Sequence, residues 1–172
     1  MNAESAGSRP GGPAAVAASD GLAIPGPTGQ RMTVKIGAAA SLGAYSLIEY
    51  SHAPGAPGPP AHVHREHEEA FYVIEGELTL AVGDASVTVR AGQTAVVPRG
   101  VLHRPSNASD HPVRFVFINS PPMDEFFTEL SALTERHGGQ LDSTLLAELG
   151  GRYDTLFPGL PSGVVPMSNE QA

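Results

Sequence analysis

From Arg31 to Asn119 the chain alternates apolar and polar residues in short runs broken by glycine and proline. Thr33-Val34-Lys35-Ile36 and Leu78-Thr79-Leu80-Ala81-Val82 show period two, which places alternate side chains on opposite faces of a strand. Ala44 to Tyr50, Ala61 to Arg65, Glu69 to Ile74, Ser86 to Arg90, Thr94 to Val97, Val101 to Arg104 and Val113 to Ile118 read as further strands. Gly83-Asp84 marks a hairpin turn. Ala53 to Pro60 is a stiff Pro/Gly loop. Many short strands at close spacing predict a mainly β domain, a sandwich or barrel.

The period changes after Asn119. Met123, Phe126, Phe127, Leu130 and Leu133 recur at helical spacing, and Asp124 and Glu125 suit the first turn of a helix. Gly138-Gly139 stops it. Asp142 is a candidate N-cap for a second helix carrying Leu145, Leu146 and Leu149, which Gly150-Gly151 is expected to end. Tyr153 and Leu156 continue its apolar stripe. Both helices are expected to pack on the outside of the β domain. The first thirty residues hold four prolines and six glycines. Such a segment buries too little to offset its ordering entropy. The expected organisation is a flexible tail over 1–30, a barrel over 31–120, helices over 121–157 and a second tail over 158–172. Leu22-Ala23-Ile24 is the part of the first tail that can dock as an arm.

Composition narrows the chemistry. The 172 residues carry 10 basic and 18 acidic side chains, a net charge of −8. No basic cluster is present, which argues against a nucleic-acid partner. No apolar run approaches the ~20 residues of a membrane span. The N-terminus lacks a basic start and an apolar stretch long enough for a secretory signal. Cysteine is absent, so disulfides, thiolate metal sites and cysteine nucleophiles are excluded. A cytoplasmic location is expected. Any metal must sit on histidine and carboxylate.

Such donors are concentrated in His62-Val63-His64-Arg65-Glu66-His67-Glu68-Glu69. On a strand, His62 and His64 share one face. A turn after them lets a second strand bring a carboxylate to the same place. His103 follows Pro98-Arg99-Gly100 in another short strand. Three imidazoles and a carboxylate suit a divalent transition metal, with Fe, Mn, Ni, Co, Cu and Zn all admissible. Glu66, Glu68 and Glu69 compete for the carboxylate. Glu69 is in phase with Phe71 and Val73 and faces inward with them. Glu68 would face outward. His67 is expected to be exposed in the turn. His52, His111 and His137 read as surface or packed histidines, and Asn107 and Gly100 as turn residues.

These residues match a pair of family motifs. His62-x-His64-x4-Glu69-x6-Gly76 fits the first motif, whose leading glycine is replaced here by Ala56. Gly92-x5-Pro98-x-Gly100-x2-His103-x3-Asn107 fits the second at every position. Residues 77–91 separate them. The chain thus resembles the cupin superfamily. Pro59 to Arg65 and Glu69 to Glu77 are most similar to small single-domain bacterial cupins grouped with quercetin 2,3-dioxygenase. The resemblance implies a jelly-roll barrel, the double-stranded β-helix, with one metal on His62, His64, Glu69 and His103. The family tolerates a shorter gap that would select Glu68 instead.

The resemblance does not fix the reaction, because the fold hosts many. One reading is a dioxygenase of the quercetinase type, an oxidoreductase acting on a small phenol or enol. In it Glu69 takes the substrate's hydroxyl proton or stays a ligand. Phe71, Val73, Leu80, Phe115 and Phe117 are candidate pocket walls, or ordinary core. A second reading is a non-oxidative cyclase, isomerase or lyase, for example on a polyketide. A third is a non-catalytic small-molecule-binding protein. Cupins often pair through edge strands or arms, so a homodimer through residues 31–37 is expected.

Overall fold

The computed structural model describes residues 15–25, 31–139 and 141–160. The expected tails over 1–14, 26–30 and 161–172 lie outside the described residues. Nine strands are described: β1 (Leu22–Pro25), β2 (Arg31–Ile36), β3 (Ser46–His52), β4 (Glu68–Glu75), β5 (Glu77–Val82), β6 (Ala85–Arg90), β7 (Thr94–Val97), β8 (His103–Ser106) and β9 (Val113–Ser120). Two helices follow, α1 (Asp124–Arg136) and α2 (Ser143–Arg152). A six-stranded sheet has the order β1-β2-β3-β9-β4-β7, and a three-stranded sheet has the order β6-β5-β8. Every pairing is antiparallel. None of the described helices is long and apolar enough to cross a membrane.

Period two builds the interior. Glu69, Phe71 and Val73 of β4 point inward, as do Val113, Phe115, Phe117 and Asn119 of β9. Register aligns them in rows. Glu69 lies beside Asn119, and Asn119 beside Ser46; Phe71 lies beside Phe117, and Phe117 beside Ile48. Leu78, Leu80 and Val89 of the facing sheet, with Val97 of β7, complete the core. Each fully buried side chain of this size contributes about 1.5–3 kcal/mol.

α1 and α2 pack together through Met123, Phe126 and Leu149. Phe127 joins this cluster to the barrel, with its ring 5.5 Å from that of Phe117. Asp142 caps α2, its carboxylate accepting from the N–H groups of Thr144 and Leu145 at 2.8 and 2.9 Å.

Four elements differ from expectation. Residues 61–65 form no strand; only His62 and Val63 pair, through isolated bridges to His103 and Leu156. β8 begins at His103, because Val101 is held in a turn by the Pro98 carbonyl. It runs on through Pro105, which an edge strand tolerates. α2 continues through both glycines to Arg152. Leu22–Pro25, inside the expected tail, is a strand paired with β2. β2 is therefore flanked on both sides, by β1 and β3, with β1 covering its residues 31–34.

Ala56 needs no glycine. Its φ is not positive, its side chain is buried, and its carbonyl accepts from the Asn107 N–H at 2.9 Å. Gly58 is the position that requires one. It sits at φ +73, and an added Cβ would fall 1.8 Å from the Pro105 carbonyl oxygen. Gly58→Ala is expected to destabilise the fold by roughly 2–4 kcal/mol in urea unfolding, from left-handed strain plus overpacking.

His52 is fully buried between Tyr50 and Phe115, with ring centroids 4.5 and 5.2 Å away. Neither ring nitrogen has a hydrogen-bond partner among the described residues. Burial pushes its pKa from 6.5 down to about 4. The unfolded chain therefore binds the proton first as pH falls, and stability drops between pH 6.5 and 4. His52→Leu is expected to remove this slope. Its stability advantage over wild type should grow by about 2 kcal/mol from pH 7 to pH 5. Urea unfolding at both pH values measures it, and parallel pH dependence of the two proteins would refute it.

Candidate metal centre

The loop after Pro60 brings His62 and His64 to one end of the barrel. β4 supplies Glu69 there, and the first residue of β8 supplies His103. All four are buried, and one ligand atom from each lies within 4.8 Å of the others. The His62 ring centroid is 5.0 Å from that of His64 and 4.3 Å from that of His103.

The imidazoles share a wiring pattern. His62 Nδ1–H donates to the Pro60 carbonyl at 2.9 Å, His64 Nδ1–H to the Asp154 carbonyl at 2.9 Å, and His103 Nδ1–H to the Val101 carbonyl at 3.0 Å. A carbonyl only accepts, so each Nδ1 carries a proton. The lone pairs of His62 and His64 are thus left on Nε2, as metal-ligating histidines require. His64 Nε2 is buried with no hydrogen-bond partner among the described residues. A buried unmatched acceptor is costly, and a cation at the centre would satisfy it. The residues fit a divalent transition metal on both donor type and orientation.

Glu69 is held from both sides. Its Oε2 accepts from His103 Nε2 at 3.0 Å, and its Oε1 accepts from the Asn119 amide. Burial alone would raise its pKa. The His103 hydrogen bond and the neighbouring imidazoles outweigh that and hold it at about 2. Burial drives His62 down to about 4 and also lowers His64. For His103 burial acts downward, but the bond to Glu69 wins and the pKa is raised. The centre thus pairs the Glu69 carboxylate with His103, while burial favours the neutral form of His62 and His64.

The competing carboxylate points away. Glu68 is exposed and lies 3.3 Å from Arg99 across the outer face. His67, expected to be exposed, is half-buried, and its Nδ1 donates to Asp154 at 2.9 Å. Asn107 is fully buried and acts as a keystone between turns. Its amide donates to the carbonyls of Ala53 and His111, and its oxygen accepts from Ser109. Phe71, Val73, Leu80, Phe115 and Phe117 all lie in the packed core beneath the ligands, 0–4% exposed. Two partners of the centre escaped the sequence reading. Asn119 had a signal, since it continues the inward phase of Val113, Phe115 and Phe117. Asp154 had none, lying 90 residues from His64.

The family model described as Cupin domain matches residues 49–119. The barrel has the cupin fold. Over 95 residues the chain is 32% identical to oxalate oxidase GF-3.8 of Triticum aestivum, covering 50% of this chain and 42% of that protein. Over 60 residues it is 37% identical to polyketide synthase CurC of Streptomyces cyaneus, covering 35% of this chain and 39% of that protein. The chain thus spans less than half the length of these curated relatives. The structure of KdgF from a Halomonas species aligns with a TM-score of 0.50 at 18% identity, covering 56% of this chain and 83% of that one.

The inward phase of Glu69 generates a direct test. Wild type is expected to carry near-stoichiometric transition metal by mass spectrometry, and Glu69→Ala and His103→Ala should each lose it. Glu68→Ala should retain it. Loss in Glu68→Ala alone would reverse the assignment.

Proposed function

We propose that the chain is a metal-dependent enzyme, an oxidoreductase of the cupin fold acting on a small phenolic or enolic substrate, in the manner of quercetin 2,3-dioxygenase. The observation that carries this reading is the convergence of three oriented imidazoles and Glu69, with His64 Nε2 left without a hydrogen-bond partner among the described residues. His62, His64, Glu69 and His103 would hold a metal, and that metal would supply Lewis-acid and electron-coupling chemistry to substrate and dioxygen. The likeness to an oxalate oxidase supports redox chemistry in proteins with this segment.

This chain's residues would prepare the reaction in three ways. The backbone carbonyls of Pro60, Val101 and Asp154 fix the ring planes. Asn119 and His103 keep Glu69 ionised and in place. That leaves a carboxylate able to accept a hydroxyl proton at Oε2 once His103 is engaged elsewhere. The aromatic core closes the barrel beneath the ligands, so a substrate approaches from the end where His62 and His64 sit.

A second reading is favoured by the likeness to a polyketide synthase component. It keeps the same centre but uses it without oxygen, as a Lewis acid beside Glu69, on a polyketide-like enol. Oxygen consumption separates the two. Protein reconstituted with Fe, Mn, Ni, Co, Cu or Zn is presented with a panel of phenols, flavonols and enols. Uptake of oxygen with at least one substrate, abolished in His103→Ala, is the expected result. Turnover that persists under strict anaerobiosis would replace the oxygenase with the Lewis-acid reading. Tight ligand retention without any turnover would overturn both in favour of a binding protein.

A further inference from the structure

The cupin match ends at Asn119, yet one of the three carbonyls that orient the imidazoles comes from well beyond it. After α2 the chain turns at Tyr153 and crosses the metal end of the barrel as a strap, residues 153–157. Val63 and Leu156 exchange backbone hydrogen bonds of 2.8 and 2.9 Å. The Phe157 ring lies 5.8 Å from that of His62.

Asp154 makes two kinds of contact at once. Its carbonyl accepts from His64 Nδ1–H at 2.9 Å. Its carboxylate accepts from three successive backbone N–H groups, those of Arg65, Glu66 and His67, at 3.1, 2.6 and 3.2 Å. The same carboxylate accepts from His67 Nδ1 at 2.9 Å. Successive amides aimed at one anion form a nest, and bonds to an ionised acceptor are about twice as strong as neutral ones. Asp154 sits at φ +52, a conformation that aspartate adopts more readily than most residues. Its oxygens are occupied by N–H donors, so the neighbouring trio His64, His67 and Asp154 is a clamp rather than a second metal site.

We propose that Asp154 is a positioning residue for the metal centre: through the strap it holds His64 and the 65–67 loop in ligand geometry, and so sets the affinity of a site whose ligands all lie before it. The inference rests on the metal-binding reading above. A second handle on the strap touches no ligand. Gly150 accepts the N–H groups of Tyr153 and Thr155 on its carbonyl, and a Cβ there would fall 2.2 Å from the Thr155 oxygen and 2.7 Å from the Phe157 ring. Any side chain at 150 must push the strap outward.

The test is Co(II) titration of the full chain by calorimetry, with the Co(II) absorption spectrum as a readout of ligand geometry. Asp154→Gly keeps the backbone freedom and removes the carboxylate. Asp154→Asn keeps the shape and one acceptor oxygen. Gly150→Ala shifts the strap, and Asp142→Ala removes the α2 cap as a control for lost stability. Asp154→Gly is expected to weaken Co(II) binding about 10- to 100-fold and alter the spectrum, the range typical of lost partners behind metal ligands. Asp154→Asn should lose less, Gly150→Ala should follow Asp154→Gly, and Asp142→Ala should bind as wild type. Wild-type affinity and spectrum in folded Asp154→Gly and Gly150→Ala would overturn the proposal. So would an equal loss in Asp142→Ala. If wild type takes up no Co(II), the metal reading fails. The positioning claim is then decided by histidine-ring NMR of the metal-free protein. A His64 Nδ1–H signal seen in wild type and lost to exchange in Asp154→Gly supports it, and equal signals overturn it.

Discussion

Three imidazoles and a carboxylate buried at one end of an apolar barrel must find partners for their polar atoms or lose the stability that burial provides. Each imidazole meets this demand by giving Nδ1–H to a backbone carbonyl. That one bond fixes the tautomer, the ring plane and the direction of Nε2. The accepting carbonyls belong to the loop before His62, the turn before β8 and the strap after α2. Those three segments contribute no side-chain ligand beyond the histidines they orient. They are nonetheless parts of the centre, because a shift in any of them turns an imidazole.

The barrel supplies the remaining constraint. The row nearest the ligands is polar: Glu69, Asn119 and Ser46 stand side by side across β4, β9 and β3. Each has a task. Asn119 donates to Glu69, and Ser46 accepts from the Met123 N–H where α1 begins. The next row, Phe71, Phe117 and Ile48, is wholly apolar. The change from polar to apolar within one row sets the buried ligands directly above a solid apolar floor. It also explains why Glu69 ionises despite burial, since its charge is met by His103 and Asn119 rather than by water.

Much of this was legible in the sequence, and the reason is periodicity. The alternation in β4 and β9 is strict, so the inward phase of Glu69 follows from Phe71 and Val73, and Glu68 falls on the outer face. The hairpin at Gly83-Asp84 and the helix stripe from Met123 to Leu133 are equally local signals. Legibility failed where the deciding contact is distant. Residues 61–65 alternate like a strand, yet they pair only singly, His62 to one side and Val63 to the other, because β8 and the strap flank them. β8 runs past the expected end at Arg104 through Pro105, which its place at a sheet edge permits. Gly150-Gly151 read as a stop, but the missing side chain at 150 serves the strap rather than ending α2. Asp154 carries no local mark, since its partners lie 87 to 90 residues away.

These distances bear on what a family likeness conveys. The four ligand candidates all lie within residues 49–119, the segment that matches the Cupin domain. Two of the three orienting carbonyls, those of Pro60 and Val101, lie there as well. The third does not, and neither does the aromatic ring of Phe157 that faces His62. A shared ligand set is compatible with many reactions. What distinguishes one such centre from another is the surface that meets substrate above the ligands and the stiffness with which each ligand is held. In this chain residues 153–157 bring a carbonyl to His64 and an aromatic ring to His62, and they reach the centre because α1 and α2 fold back against the barrel. The helical appendage is therefore part of the construction of this candidate centre, although it lies outside the motif that carries the four ligand candidates.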